Sequence, residues 1–142
     1  MQAVALSLDP HWQAIFPLLP SYQFFDQLSW FDDQTALNSP AGPALICPLP
    51  HWGCIAIDGP EAATFLQGQL TNDTVNLASD ETVLAAHCDP KGRMHANFYL
   101  HRRREQCFYL FMPRATVTTA LSALKKYAVF SKAELSDISH SL

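Results

Sequence analysis

The chain has 142 residues, 49% hydrophobic and 15% charged, which is enough for one domain with a substantial core. A formal net charge of −4 excludes a protein that holds nucleic acid through its bulk field, so any RNA contact has to be local and direct nucleic-acid binding is expected to be weak or absent. No run of about 18 apolar residues spans a bilayer and residues 1–9 lack the basic start of a secretory signal, which predicts a cytoplasmic protein without membrane association.

Residues 1–48 read as an N-terminal extension and linker, and residues 49–142 as the folded domain. In the extension, Trp12, Ile15, Phe16, Leu18 and Leu19 suit a short amphipathic helix that Pro17 and Pro20 break early. Residues 39–43 and 47–50, rich in proline, read as turns and extended connection. Ile55 and Ile57 then alternate with Ala56 and Asp58, a strand signal. Gly59-Pro60 opens a helix, where a first-turn proline loses no hydrogen bond. Phe65, Leu66, Gln69 and Leu70 share one face of that helix, and Thr71-Asn72-Asp73 ends it.

Residues 83–88 and 93–101 form a hairpin across Asp89-Pro90-Lys91-Gly92, which suits a type I turn with aspartate first, proline second and glycine fourth. Along its second strand Met94, Ala96, Phe98 and Leu100 share one face. Arg93, His95, Asn97, Tyr99 and His101 share the other, which is polar enough to line a site. Residues 106–112 supply another strand. Pro113 opens a helix whose Val117, Leu121, Leu124 and Ala128 repeat at helical spacing, with Lys125 and Lys126 complementing the dipole of its last turns. Residues 133–138 add a short final strand. The order β-α-β-β-β-α-β, with a tight hairpin at its centre, predicts an α+β fold in which an antiparallel sheet is covered by two helices.

Few residues point to chemistry on their own. Trp52, at a strand entrance, suits either the core or a stack against a flat ligand such as a pterin. Cys47, Cys54, Cys88 and Cys107 contain no C-x-x-C pair and read as reduced thiols. His51/Cys54 and His87/Cys88 cluster in sequence, but neighbours on a strand face opposite ways, so no metal site is expected. Asp73 and Asp89 are explained by capping and turn formation, and Arg102-Arg103-Arg104 by a solvated hairpin turn. No G-x-S-x-G, phosphate loop or H-E-x-x-H occurs, and no catalytic residue is assigned.

Three motifs carry a resemblance: F-L-Q-G-Q-L-T-N-D at residues 65–73, D-P-K-G at 89–92 and K-K-Y-A-V-F-S-K at 125–132. Together they resemble the N-terminal part of the YgfZ family, folate-binding, tRNA-modifying relatives of the glycine-cleavage T-protein. The resemblance runs over roughly residues 49–137 and implies a T-protein/YgfZ-like folate-binding domain with folate, as tetrahydrofolate or a derivative, for its cofactor. It also implies that Trp52 belongs to the folate site, with Arg93, His95 and Asn97 of the hairpin forming its wall. The family's later K-G-C-[FY]-x-G-Q-E signature does not occur here, so an N-terminal portion of a longer protein is expected.

By the same resemblance the function is that of a folate-binding accessory factor supporting iron–sulfur protein maturation or repair and tRNA thiolation, with iron–sulfur or tRNA-thiolating proteins as partners. T-protein relatives carry an acid in the strand after the hairpin turn, where this chain has Met94-His95-Ala96-Asn97. Neither histidine nor asparagine replaces a carboxylate as base. That departure argues against the rival reading, a tetrahydrofolate-dependent aminomethyltransferase. A third reading is a non-catalytic module whose polar strand face meets a protein or RNA.

Overall fold

The computed structural model describes residues 22–25, 28–31, 49 and 51–141. The chain divides into two units, Met1–His51 and Trp52–Leu142. In the first, β1 (Tyr22–Phe25) pairs antiparallel with β2 (Leu28–Phe31), Tyr22 opposite Phe31 and Phe25 opposite Leu28. Sequence reading assigns no strands here, although the aromatic content of both segments favours them. The helix expected over residues 12–19, the turn at 39–43 and most of the connection at 47–50 lie outside the described residues.

The second unit runs β3 (Trp52–Asp58), α1 (Ala62–Gln67), β4 (Thr82–Cys88), β5 (Met94–Arg104), β6 (Cys107–Pro113), α2 (Arg114–Ala128) and β7 (Glu134–Asp137). Its five strands form one antiparallel sheet in the order β4-β5-β6-β3-β7. The predicted α+β architecture is the one observed. Ile55 and Ile57 of β3 lie opposite Leu110 and Phe108 of β6, and all four are buried. Phe98 and Leu100 extend that layer along β5. Ala62, Phe65 and Leu66 of α1 and Val117, Ala120 and Leu124 of α2 close the core on the same side. The predicted stripe on α2 is therefore real, with Leu121 and Ala128 at its half-buried margin. Among the described residues no helix is long and apolar enough to cross a membrane.

Helix α1 is shorter at both ends than its apolar spacing predicts. Gly59 has φ 144°, a conformation no helix continues, so Pro60 falls in the lead-in turn and the helix starts at Ala62. It stops at Gln67 because Leu70 leaves to bridge His87 on the edge of β4, followed by a Thr71 N–H donating to the Ala86 carbonyl at 3.0 Å. The loop beyond is pinned by the Gln67 side chain. Its Oε1 accepts from the Thr74 N–H at 2.7 Å, the Thr74 hydroxyl at 3.1 Å and the Val75 N–H at 3.2 Å.

The predicted turn is present, tightened by its glycine. The Gly92 N–H donates to the Asp89 carbonyl at 2.9 Å, and Gly92 takes φ 78°, which joins a type I turn to a left-handed residue. The Asp89 carboxylate accepts from the Lys91 and Arg93 N–H groups and from Arg93 Nε at 2.8 Å. These bonds, the backbone N–H of Arg93 first, hold its carboxyl below the ordinary range.

Candidate functional site: the aromatic face of the sheet

Strand alternation gives the sheet a second face, turned away from both helices. Trp52 and Ala56 on β3, Tyr109 and Phe111 on β6, and Tyr99 and His101 on β5 lie there, because their sequence neighbours Ile55, Ile57, Leu110, Phe98 and Leu100 fill the core. The register sets Phe111 opposite both Cys54 and Tyr99, and Tyr109 opposite both Ala56 and His101. An aromatic shelf results. The rings of Trp52 and Tyr99 lie 5.8 Å apart, Tyr109 meets Phe111 edge-on at 6.1 Å, and His101 lies 6.5 Å from Tyr109. Tyr99 remains 49% exposed and Leu84, opposite it on β4, 62% exposed, so these two carry apolar surface to solvent while Trp52, Tyr109 and Phe111 are half-buried.

Towards the far end of β3 the shelf deepens into a groove of about 520 Å³ bordered by Asp58, Arg103, Arg104, Cys107, Tyr109 and Glu134. The Arg103 guanidinium stands 5.6 Å from the Tyr109 ring, and Arg104 pairs with Asp58 at 2.6 Å. That hydrogen bond from Arg104 holds the Asp58 carboxyl below its usual range. Burial pushes the Cys107 thiol up and that of Cys54 to about 12, so neither supplies a thiolate near neutral pH.

The expected site residues are only partly gathered on this shelf. Trp52 is on it, beside Tyr99. Asn97 is exposed two residues along β5 from Tyr99 and shares its side of the strand. His95 falls where the β4–β5 register shifts, and its ring lies 5.2 Å from that of the buried His87. Arg93 precedes β5 and is held by Asp89, so the single polar face read from residues 93–101 does not extend back to it. Sequence reading missed Tyr109 and Phe111 as shelf residues, although their alternation with Phe108, Leu110 and Met112 was visible.

The arginine cluster is not a solvated turn throughout. Arg102 donates to the carbonyls of Val75 and Glu105 at 3.2 and 2.9 Å and to that of Leu77, and lies over the Phe108 ring. It fastens the 71–81 loop to the sheet. Asp73 is likewise occupied, accepting from the Asn76 N–H at 3.1 Å and the Asn76 amide at 2.7 Å. Chemically this aromatic face offers flat apolar stacking and a few hydrogen-bonding edges, with Asp58, already paired to Arg104, and Glu134 as the acids at its border.

The family model described as the GCVT N-terminal domain matches residues 42–142. The chain is 40% identical over 112 residues to the tRNA-modifying protein YgfZ of Photorhabdus laumondii, covering 79% of this chain and 34% of that protein. It is 48% identical over 84 residues to an uncharacterized protein of Haemophilus influenzae, covering 59% of this chain and 30% of that one. Among solved structures, the glycine cleavage system aminomethyltransferase T of Bartonella henselae superimposes with a TM-score of 0.60 at 22% identity, over 62% of this chain and 24% of that one. The chain thus spans about a third of the length of the curated relatives it matches.

Proposed function

The chain belongs to the family of the GCVT N-terminal domain, with tRNA-modifying YgfZ proteins among its relatives, and from that membership we propose that it is the folate-binding portion of a tRNA-modification factor. The observation that carries the reading is the Trp52–Tyr99 pair on the aromatic face of the sheet turned away from the helices. A pteridine is flat, apolar on its faces and polar at its edge, which is the chemistry this shelf complements. Trp52 and Tyr99 would hold the ring system by stacking, and the exposed Asn97 amide offers both a donor and an acceptor to its edge. His95 stands further along the same strand end. Arg93 stands at the hairpin end of this wall, its Nε held by Asp89 and the rest of its exposed guanidinium left to donate to the ligand.

Bound tetrahydrofolate supplies a carrier for a one-carbon unit, while this chain's residues bind, orient and exclude water. No acid lies in the strand segment 94–97, and Asp58, Asp73 and Asp89 are engaged with Arg104 or their own loops, which argues against aminomethyl transfer. The role that fits is accessory, in a cytoplasmic protein supporting iron–sulfur protein maturation and tRNA thiolation, with the proteins of those routes as partners.

Calorimetric titration with tetrahydrofolate tests this. Trp52→Ala is expected to weaken binding by about 1–3 kcal/mol, the loss of one stacking ring, while the thermal midpoint stays near that of the parent. Equal affinity in an intact Trp52→Ala protein would return Trp52 to a packing role and overturn the reading.

A further inference from the structure

On the helix side of the sheet, away from the aromatic shelf, a second cavity of about 320 Å³ lies between the C-terminal ends of α1 and α2. His87 of β4, Gly68 and Gln69 after α1, Tyr127 of α2, and Asp89 and Pro90 of the hairpin turn line it. Nothing in the folate reading uses these groups. His87 is only 3% exposed, yet its Nδ1 has no hydrogen-bond partner among the described residues. A buried polar atom without a partner is uncommon, and the residue that carries it lines a cavity large enough for a small ligand. Desolvation holds the His87 pKa below its ordinary value, so near neutral pH the ring is uncharged and offers one donor and one acceptor. The Gln69 amide, half-buried at the same cavity, makes no hydrogen bond among the described residues and adds a donor and an acceptor side by side.

The surroundings indicate what such a ligand is attached to. Lys125 and Lys126 are exposed beside Tyr127 and form no ion pair among the described residues. Past the helix end Phe130 is 90% and Val129 79% exposed. A pocket with paired donors and acceptors suits a planar heterocycle, two lysines without ion pairs among the described residues suit anions, and an exposed aromatic ring three residues on from Tyr127 suits a second flat group. A free phosphate leaves the pocket empty, whereas a nucleotide strand carries base edges, anions and flat rings together. We propose that this cleft is a nucleobase pocket, in which His87 and Gln69 hydrogen-bond the edge of one base of a single-stranded nucleic acid while Lys125 and Lys126 meet its phosphates and Phe130 stacks on a neighbouring base. The net charge of −4 is no obstacle, because the contact is local.

Fluorescence anisotropy with a labelled ten-nucleotide RNA, its DNA counterpart and an abasic ten-mer of equal charge tests the assignment. The base-bearing strands are expected to bind at least tenfold tighter than the abasic one, and any preference between them identifies RNA or DNA as the source. Gln69→Ala, at a half-buried position after α1, and Phe130→Ala, at an exposed one, should each weaken binding about fivefold or more. Lys125→Ala with Lys126→Ala should lower the slope of log affinity against log salt by about 1.4. The imidazole nitrogen resonances of His87 should shift on adding the strand. Absence of saturable binding, equal affinity for the abasic strand, or parent affinity in both Gln69→Ala and Phe130→Ala would overturn the proposal.

Discussion

Phe98→Ala is expected to destabilise the domain by about 3–5 kcal/mol, a large part of the 5–15 kcal/mol that holds a typical domain folded. Phe98 is 2% exposed in the middle of β5, the strand flanked by β4 and β6. Its partner on β4 is Ala85, too small to relax into the space, so truncation leaves a cavity as well as losing buried area. Urea denaturation checks this: the midpoint should fall with little change in slope. Leu84→Ala, next to that pair but 62% exposed, should move it far less. Similar losses at both sites would mean that the core is not on the helix side.

Gly59→Ala should cost about 2–4 kcal/mol through two separate penalties, backbone strain and overpacking. Gly59 has φ 144°, and a Cβ there would collide with the Lys132 carbonyl oxygen. The carbonyl cannot withdraw freely, since it accepts from the Glu61 N–H at 3.3 Å while the Lys132 N–H donates to the Glu61 carboxylate at 2.9 Å. Gly59 therefore locks β3, α1 and the approach to β7 together. Gly92→Ala provides the comparison: its φ of 78° is also left-handed, but a Cβ there meets nothing within 4 Å, so about 1–2 kcal/mol is expected. Thermal midpoints should rank parent, Gly92→Ala, Gly59→Ala.

The contrast between these two glycines reflects what the sequence makes legible. The hairpin could be read directly because Asp89, Pro90 and Gly92 act within a single turn. Strands β3 and β6 and helix α2 were readable from the spacing of apolar residues, since each has one buried side. The early end of α1 was not, because Leu70 is drawn off by a bridge to His87, a tertiary preference that local spacing does not encode. Arg102 misled for a similar reason: its carbonyl partners lie in a loop distant in sequence. The site was half legible. Trp52 and the outward residues of β5 follow from alternation, but their meeting depends on β6 lying between β5 and β3, an order the sequence does not announce. The register shift near His87 and Cys88, which separates Arg93 and His95 from the rest of that face, also had no local signal.

The most direct test of the folate reading is to map tetrahydrofolate onto the sheet by amide chemical shifts. Perturbations concentrated at Trp52, Asn97, Tyr99 and Phe111, with the helix-side residues Phe98 and Leu110 and the α2 amides little changed, are the predicted result. Saturable tetrahydrofolate binding that leaves the aromatic face unperturbed, or no binding by the intact domain, would contradict it.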